Sequence, residues 1–178
     1  MAKRAVFLDR DGVINQTIFR DGKARAPDHL HQFEFLPGVP AAIAKLKEAG
    51  FLTIVVTNQP DVARGWQQKH VVEAMNEKVM AELQVDDLKT CFHDDEHDCL
   101  CRKPKPGMLE ASALEWDIDL RQSFMIGDRL GDIQAGNAAG CVSILVGPGD
   151  SQNSDILAEL RVSSLTEAAA WICGQVTK

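Results

Sequence analysis

The 178-residue chain has no long hydrophobic run, no excess of basic residues and no cysteine pattern of the disulfide-stapled kind. The first absence leaves nothing long enough to span a bilayer, and the N-terminal stretch lacks the apolar core of a secretory signal. A cytoplasmic location without membrane partners is therefore expected. The net charge of −7 gives no broad basic face for a nucleic acid. Of five cysteines, Cys91, Cys99 and Cys101 crowd within eleven residues, whereas Cys141 and Cys173 lie in apolar contexts and are expected simply to pack. There is also no internal repeat, low-complexity segment or linker. The remaining composition, 45% hydrophobic and 25% charged, is that of an ordinary globular chain, long enough to bury a core without cross-links. One domain over residues 1–178 is expected.

Apolar runs and helical periods alternate along the chain. Ala5 to Asp9, Leu52 to Val56, Leu88 to Phe92, Phe124 to Gly127 and Val142 to Val146 read as strands. Between them, helices are expected from Val39 to about Gly50, from about Gln67 to Leu83, through Leu109, Ala113 and Trp116, and over Ile133 to Ala139. A last one lies around Leu165 to Ile172, in the tail running from Asp155 to Gly174. Such alternation implies an α/β fold with a central parallel sheet between helical layers. Residues Gln16 to Phe35 show little periodicity and are expected to form a long functional or mobile connection.

Ligands of open α/β sheets bind at the carboxyl ends of the strands. Three of these ends carry polar chemistry: Asp9-Arg10-Asp11-Gly12, Thr57-Asn58-Gln59 and Asp128. If strand geometry persists to Asp11, period two puts both carboxylates on one side, where their repulsion calls for a proton or a cation. Such a pair supplies a nucleophile, an acid/base and a Mg²⁺ site together.

With Lys103 and Gly127-Asp128-Arg129-Leu130-Gly131-Asp132 added, the set resembles the four motifs of the haloacid dehalogenase superfamily, over roughly residues 5 to 147. The resemblance implies a three-layer, Rossmann-like core without a separate cap domain, and a phosphoric monoester hydrolase. It gives Asp9 as nucleophile and Asp11 as acid/base, with Thr57, Asn58 and Lys103 stabilising the transferring phosphoryl group. Mg²⁺ would be held by Asp9, the Asp11 backbone and Asp128. Asp132 would orient Lys103 or the metal shell rather than ligate directly.

Phe33 to Val39, Ala63-Arg64-Gly65 and Cys101 to Met108 are further similar to the phosphatases of heptose bisphosphates, and Cys101-Arg102-Lys103-Pro104 also to those of histidinol phosphate. The implied substrate is a small phosphorylated sugar, cut at C7 of a heptose 1,7-bisphosphate, with Gln59, Arg102 and Arg129 among its contacts and a monomer as the working unit. For a bisphosphate, Arg20, Lys23, Arg25, Arg64 or Arg129 should gather opposite the reacting phosphate. For histidinol phosphate, Asp61 or Asp28 would have to receive an ammonium group. A non-catalytic sugar-phosphate binding protein is the alternative of another class, and the intact nucleophile set speaks against it.

Cys91-x-His93 and Cys99-x-Cys101 read as a closed tetrahedral Zn²⁺ site on an inserted loop, 91–101, with His93 preferred over His97. Three features depart from the heptose pattern. Pro60-Asp61 stands where Ser-Gly is usual, the zinc loop is short, and the stretch from Gln16 to Arg20 does not match.

Overall fold

Ala5–Leu8 (β1) is a run of four apolar residues, all completely buried, as expected of a strand covered on both faces. It is flanked by β4 (Leu52–Asn58) on one side and β6 (Phe124–Gly127) on the other, both parallel to it. The computed structural model describes residues 2–20, 22–147 and 157–176. In it the sheet grows outward to β5 (Asp87–Cys91) beyond β4, and to β7 (Val142–Val146) and β8 (Leu160–Val162) beyond β6. All neighbouring strands of this six-stranded sheet are parallel.

The two-residue period of β1 divides the core. Val6 and Leu8 point into one cluster with Ile43 and Leu46 of α1 (Val39–Glu48), Met75 and Val79 of α2 (Lys69–Leu83), and Ala168 and Ile172 of α5 (Leu165–Val176). Ala5 and Phe7 point into the other, with Met108 and Leu109 of α3 (Gly107–Trp116). Ile133 of α4 (Leu130–Ala139) packs on Leu145 of β7. The result is a helix–sheet–helix sandwich whose central strand ends on Asp9. No helix among the described residues is long and apolar enough to cross a membrane.

The structure corrects the sequence expectations in several places. The connection after β1 carries a hairpin, β2 (Ile18–Arg20) with β3 (Lys23–Arg25), each strand three residues long. Strand β4 runs two residues further than expected, so Thr57 and Asn58 are still within the sheet. Helix α2 starts at Lys69 rather than Gln67, whose side chain instead donates to the carbonyls of Pro27 and Asp28, both at 3.1 Å. Helix α4 starts at Leu130, so Asp132 stands in its first turn. The short β8 was not expected. Asp155, the start of the predicted tail, lies outside the described residues.

Candidate active site

The Asp9 N–H still donates to the Ile126 carbonyl at 2.9 Å, after which the chain leaves the sheet. Gly12 turns it at φ +92°, and a Cβ there would fall 2.2 Å from Asp128 Oδ2. Only glycine lets this loop lie against that carboxylate. Asp9 and Asp11 are each 7% exposed and line the same cavity, of about 370 Å³.

Lys103, 6% exposed, reaches into the carboxylate group from the loop before α3. Its Nζ donates to the Val56 carbonyl at 2.7 Å and pairs with Asp9 Oδ1 at 2.7 Å and Asp132 Oδ1 at 2.6 Å. Burial alone would lower this ammonium's pKa, but Asp132 and Asp9 outweigh it and hold the group protonated. Asn58 clamps the lysine's backbone from both sides: its Nδ2 donates to the Lys103 carbonyl, and its Oδ1 accepts from the Lys103 N–H.

The three carboxylates around Lys103 are not balanced by it. Donor oxygens of Asp9, Asp128 and Asp132 lie within 4.8 Å of one another. Burial pushes Asp128 up to about 8, with repulsion from Asp9 and Asp132 adding to it. Burial likewise raises Asp9 to about 6, Lys103 opposing and Asp132 and Asp11 reinforcing. Asp128 Oδ1 is buried without a hydrogen bond, with Arg129 Nε 3.9 Å away. An acceptor without a donor in such a field fits a hard cation.

Asp11 is held differently. Arg10 Nη2 reaches its two oxygens at 3.1 and 3.2 Å, Asn15 Nδ2 donates at 3.0 Å, and Gln59 Nε2 donates at 2.6 Å. Arg10 is itself completely buried, lies 5.6 Å from the centre of the Phe33 ring, and donates through Nη1 to Asn76 of α2. Arg10, Asn15 and Gln59 together fix this carboxylate at the edge of the cavity.

A second cluster sits just before Lys103. The sulfurs of Cys91, Cys99 and Cys101 are 3.2 to 3.7 Å apart, and His93 Nδ1 lies 3.6 Å from Cys91 Sγ and 3.4 Å from Cys101 Sγ. His97 is not among these donors: its ring lies 5.4 Å from that of His93 and its Nδ1 pairs with Asp94 at 2.6 Å. Burial pushes the Cys91 thiol up to about 12, with hydrogen bonding to Cys101 adding to it.

A HAD-hydrolase-like family model matches residues 100–172. The D-glycero-beta-D-manno-heptose-1,7-bisphosphate 7-phosphatase of Rhodopseudomonas palustris is 38% identical over 76% of this chain and 79% of its own. The enzyme of that name from Haemophilus ducreyi is 32% identical over 97% of this chain and 100% of its own. Among solved structures, D,D-heptose 1,7-bisphosphate phosphatase from B. bronchiseptica, complexed with magnesium and phosphate, superposes with a TM-score of 0.84. It is 32% identical and covers 97% of this chain and 99% of its own. The chain belongs to the heptose-bisphosphate phosphatase family of HAD hydrolases. It is a phosphoric monoester hydrolase on the capless three-layer fold of that family.

The residues of this phosphatase singled out from sequence have further protein partners. Gln59 lines the cavity and commits its amide nitrogen to Asp11 and to Thr57 Oγ1, the latter at 2.9 Å. Asn58 lines it as well, and its amide holds the Lys103 backbone. Thr57 is completely buried behind Gln59 and does not line the cavity. Asp132 has one oxygen on Lys103 and the other on the Arg129 N–H at 3.1 Å, closing the first turn of α4. Arg102 and Arg129 do line the cavity, as do Lys23, Arg25 and Arg64. Arg102 is braced by Asp95 at 2.9 Å, and Arg129 by the Ala24 carbonyl at 3.0 Å. Arg20 does not join them, being paired with Asp28 on the outer side of the hairpin. Sequence reasoning missed Arg10, Asn15 and Asn76. The available signal for Arg10 was a basic residue wedged between two carboxylates at the end of a buried strand.

Proposed function

We propose that this chain hydrolyses the C7 phosphate of a heptose 1,7-bisphosphate through an aspartyl-phosphate on Asp9. The observation that carries the reading is the charge of the cavity. Lys23, Arg25, Arg64, Arg102 and Arg129 line it together with Asp9 and Asp11. Arg25, Arg64 and Arg102 spend part of their donors on Asp61 and Asp95, and a second phosphate on the substrate meets the positive charge that these three, Lys23 and Arg129 still present to the cavity. The relatives' names supply the sugar. Histidinol phosphate fits less well. Asp61, the acid that would receive its ammonium group, has one oxygen on Arg25 and the other on Arg64, and Asp28 is paired with Arg20. Steady-state rates on heptose 1,7-bisphosphate (both anomers), fructose 1,6-bisphosphate and histidinol phosphate test the reading. The heptose should give the highest kcat/KM, and a preference for histidinol phosphate would overturn it.

Lys103 occupies Asp9 Oδ1, which leaves Oδ2 as the attacking oxygen. As the new P–O bond forms, the bond to the C7 oxygen breaks, and Asp11 gives that oxygen its proton. Asp11, held in place by Arg10, Asn15 and Gln59, then takes a proton from the water that attacks the aspartyl-phosphate. Phosphate leaves and Asp9 is restored. Lys103 stands where charge develops on the phosphoryl oxygens, kept there by Asn58 and Asp132. Mg²⁺ would be held by Asp9, the Asp11 backbone carbonyl and Asp128, and when bound it supplies neutralising positive charge for the phosphoryl group.

A pH dependence follows from the raised carboxyls. Asp128 and Asp9 bind their protons more tightly folded than unfolded, so the metal-free fold loses stability as pH rises from about 4 towards 8. Mg²⁺ binds the deprotonated form and should reverse the loss. The Mg²⁺-induced rise in Tm is therefore expected to be larger at pH 8 than at pH 6, measured by calorimetry. An equal rise at both would place the ion elsewhere.

Cys91, His93, Cys99 and Cys101 are proposed as a Zn²⁺ site. Their four donor atoms lie within 4.8 Å of one another, the arrangement of a closed tetrahedral set. Its part is to fix the loop that delivers Arg102 and Lys103. Protein purified under reducing conditions should carry about one zinc per chain by elemental analysis. Zinc-free protein with an ordered loop would remove the assignment.

A further inference from the structure

The loop from β4 to α2 is wound around Asp61. Pro60 stiffens the approach, and the Asp61 carbonyl accepts from the N–H groups of Trp66 at 2.8 Å and Gln67 at 3.0 Å. The side chain is therefore aimed by a fixed backbone. Its Oδ2 meets Arg25 Nη1 of the hairpin at 3.4 Å, and its Oδ1 meets Arg64 Nη1 of its own loop at 3.3 Å. Both guanidiniums also lie over the Trp66 ring, 5.4 and 5.5 Å from its centre. Arg64 continues through Asp95 at 3.0 Å, which in turn holds Arg102. Three arginines from three segments thus form one row, and Asp61 is its less exposed joint, at 22% against 74% for Asp95.

We propose that Asp61 is a positioning residue for substrate selection: it holds Arg25 and Arg64 side by side in the cavity wall, so that both face a phosphate at the non-reacting end of the substrate. The inference rests on the bisphosphate reading above. Two opposing effects have to be weighed. A carboxylate near a phosphate dianion repels it. Without that carboxylate, however, two guanidiniums sharing one indole face each other's charge, and each long side chain regains freedom that binding must remove. Asp61 takes only Nη1 of each arginine; Arg64 Nη2 goes to Asp95, and Arg25 Nη2 makes no hydrogen bond to the described residues. The guanidiniums therefore keep donors for a ligand after Asp61 is served. With six cations lining the cavity, ordering Arg25 and Arg64 outweighs the repulsion added by Asp61.

Asp61→Asn removes the charge with little change of shape, and a melting curve of the variant reports on the fold separately. The holoenzyme and its variants would be assayed on heptose 1,7-bisphosphate and on p-nitrophenyl phosphate, which has no second phosphate. In Asp61→Asn, KM for the bisphosphate should rise on the order of ten-fold, the size of one charge-assisted hydrogen bond. Its kcat, and both constants for p-nitrophenyl phosphate, should stay near wild type. Asp61→Glu should recover most of the bisphosphate KM. An unchanged or lower bisphosphate KM in Asp61→Asn overturns the inference, as do equal losses on both substrates, which mark a merely structural role. A wild-type enzyme without preference for the bisphosphate removes the substrate reading first, and that result is visible without any variant.

Discussion

Asp9→Asn is expected to abolish turnover, by on the order of 10⁴-fold or more, while leaving the fold standing. The amide matches the carboxylate in shape but cannot form the bond to phosphorus, so the loss falls on kcat and excess substrate does not rescue it. Stability should hardly suffer. Asp9 lies in a buried cluster with Asp128 and Asp132, and burial already lifts its pKa to about 6. Removing its charge thus relieves repulsion while costing Lys103 one of its two carboxylates. Steady-state assays with saturating Mg²⁺, alongside circular dichroism and a melting curve, separate the two effects. Turnover near the wild-type rate in the purified variant would take the nucleophile's role from Asp9.

Lys103→Ala should fail in both respects. Its ammonium pairs with Asp9 and Asp132 inside a cluster almost closed to solvent, and it satisfies the Val56 carbonyl as well. Breaking a buried pair from one side leaves the remaining charges uncompensated, which costs about 3–5 kcal/mol. Loss of a positioned cation at the phosphoryl group costs roughly a further 10²–10³-fold in kcat. The expected result is a lowered Tm together with a much lower kcat, whereas Asp9→Asn lowers activity alone. A Lys103→Ala protein with normal Tm and kcat would mean that the side chain does not work at the reacting centre.

The sheet was legible because its strands are short, apolar runs ending on polar chemistry. Leu52 to Val56 and Phe124 to Gly127 admit few other readings, and helical periods lie between the runs. The hairpin was not legible. Ile18–Arg20 and Lys23–Arg25 are three-residue strands with no fully buried position, so neither hydrophobic periodicity nor a core face marks them. The place of Lys103 among the acidic residues was expected from the family resemblance, and that of the Cys/His group from its own spacing. The supporting shell was not, because polar residues at a strand end look alike in sequence. Asn58 and Gln59 read as ligand contacts and do line the cavity, but no signal in the sequence shows that one also grips the backbone of Lys103 and the other the carboxylate of Asp11. Arg10, given no role from sequence, is one of the largest completely buried side chains. Its hydrogen bond to Asn76 joins residues 66 positions apart, a meeting that only the packing of α2 on the sheet creates.

The central claim, a bisphosphate bound with one phosphate at Asp9 and the other among the arginines, is tested most directly by ³¹P NMR of heptose 1,7-bisphosphate during turnover. The C7 phosphate signal should be replaced by that of inorganic phosphate while the C1 phosphate signal persists. Release of the C1 phosphate, or no turnover by enzyme that readily consumes histidinol phosphate, would contradict it.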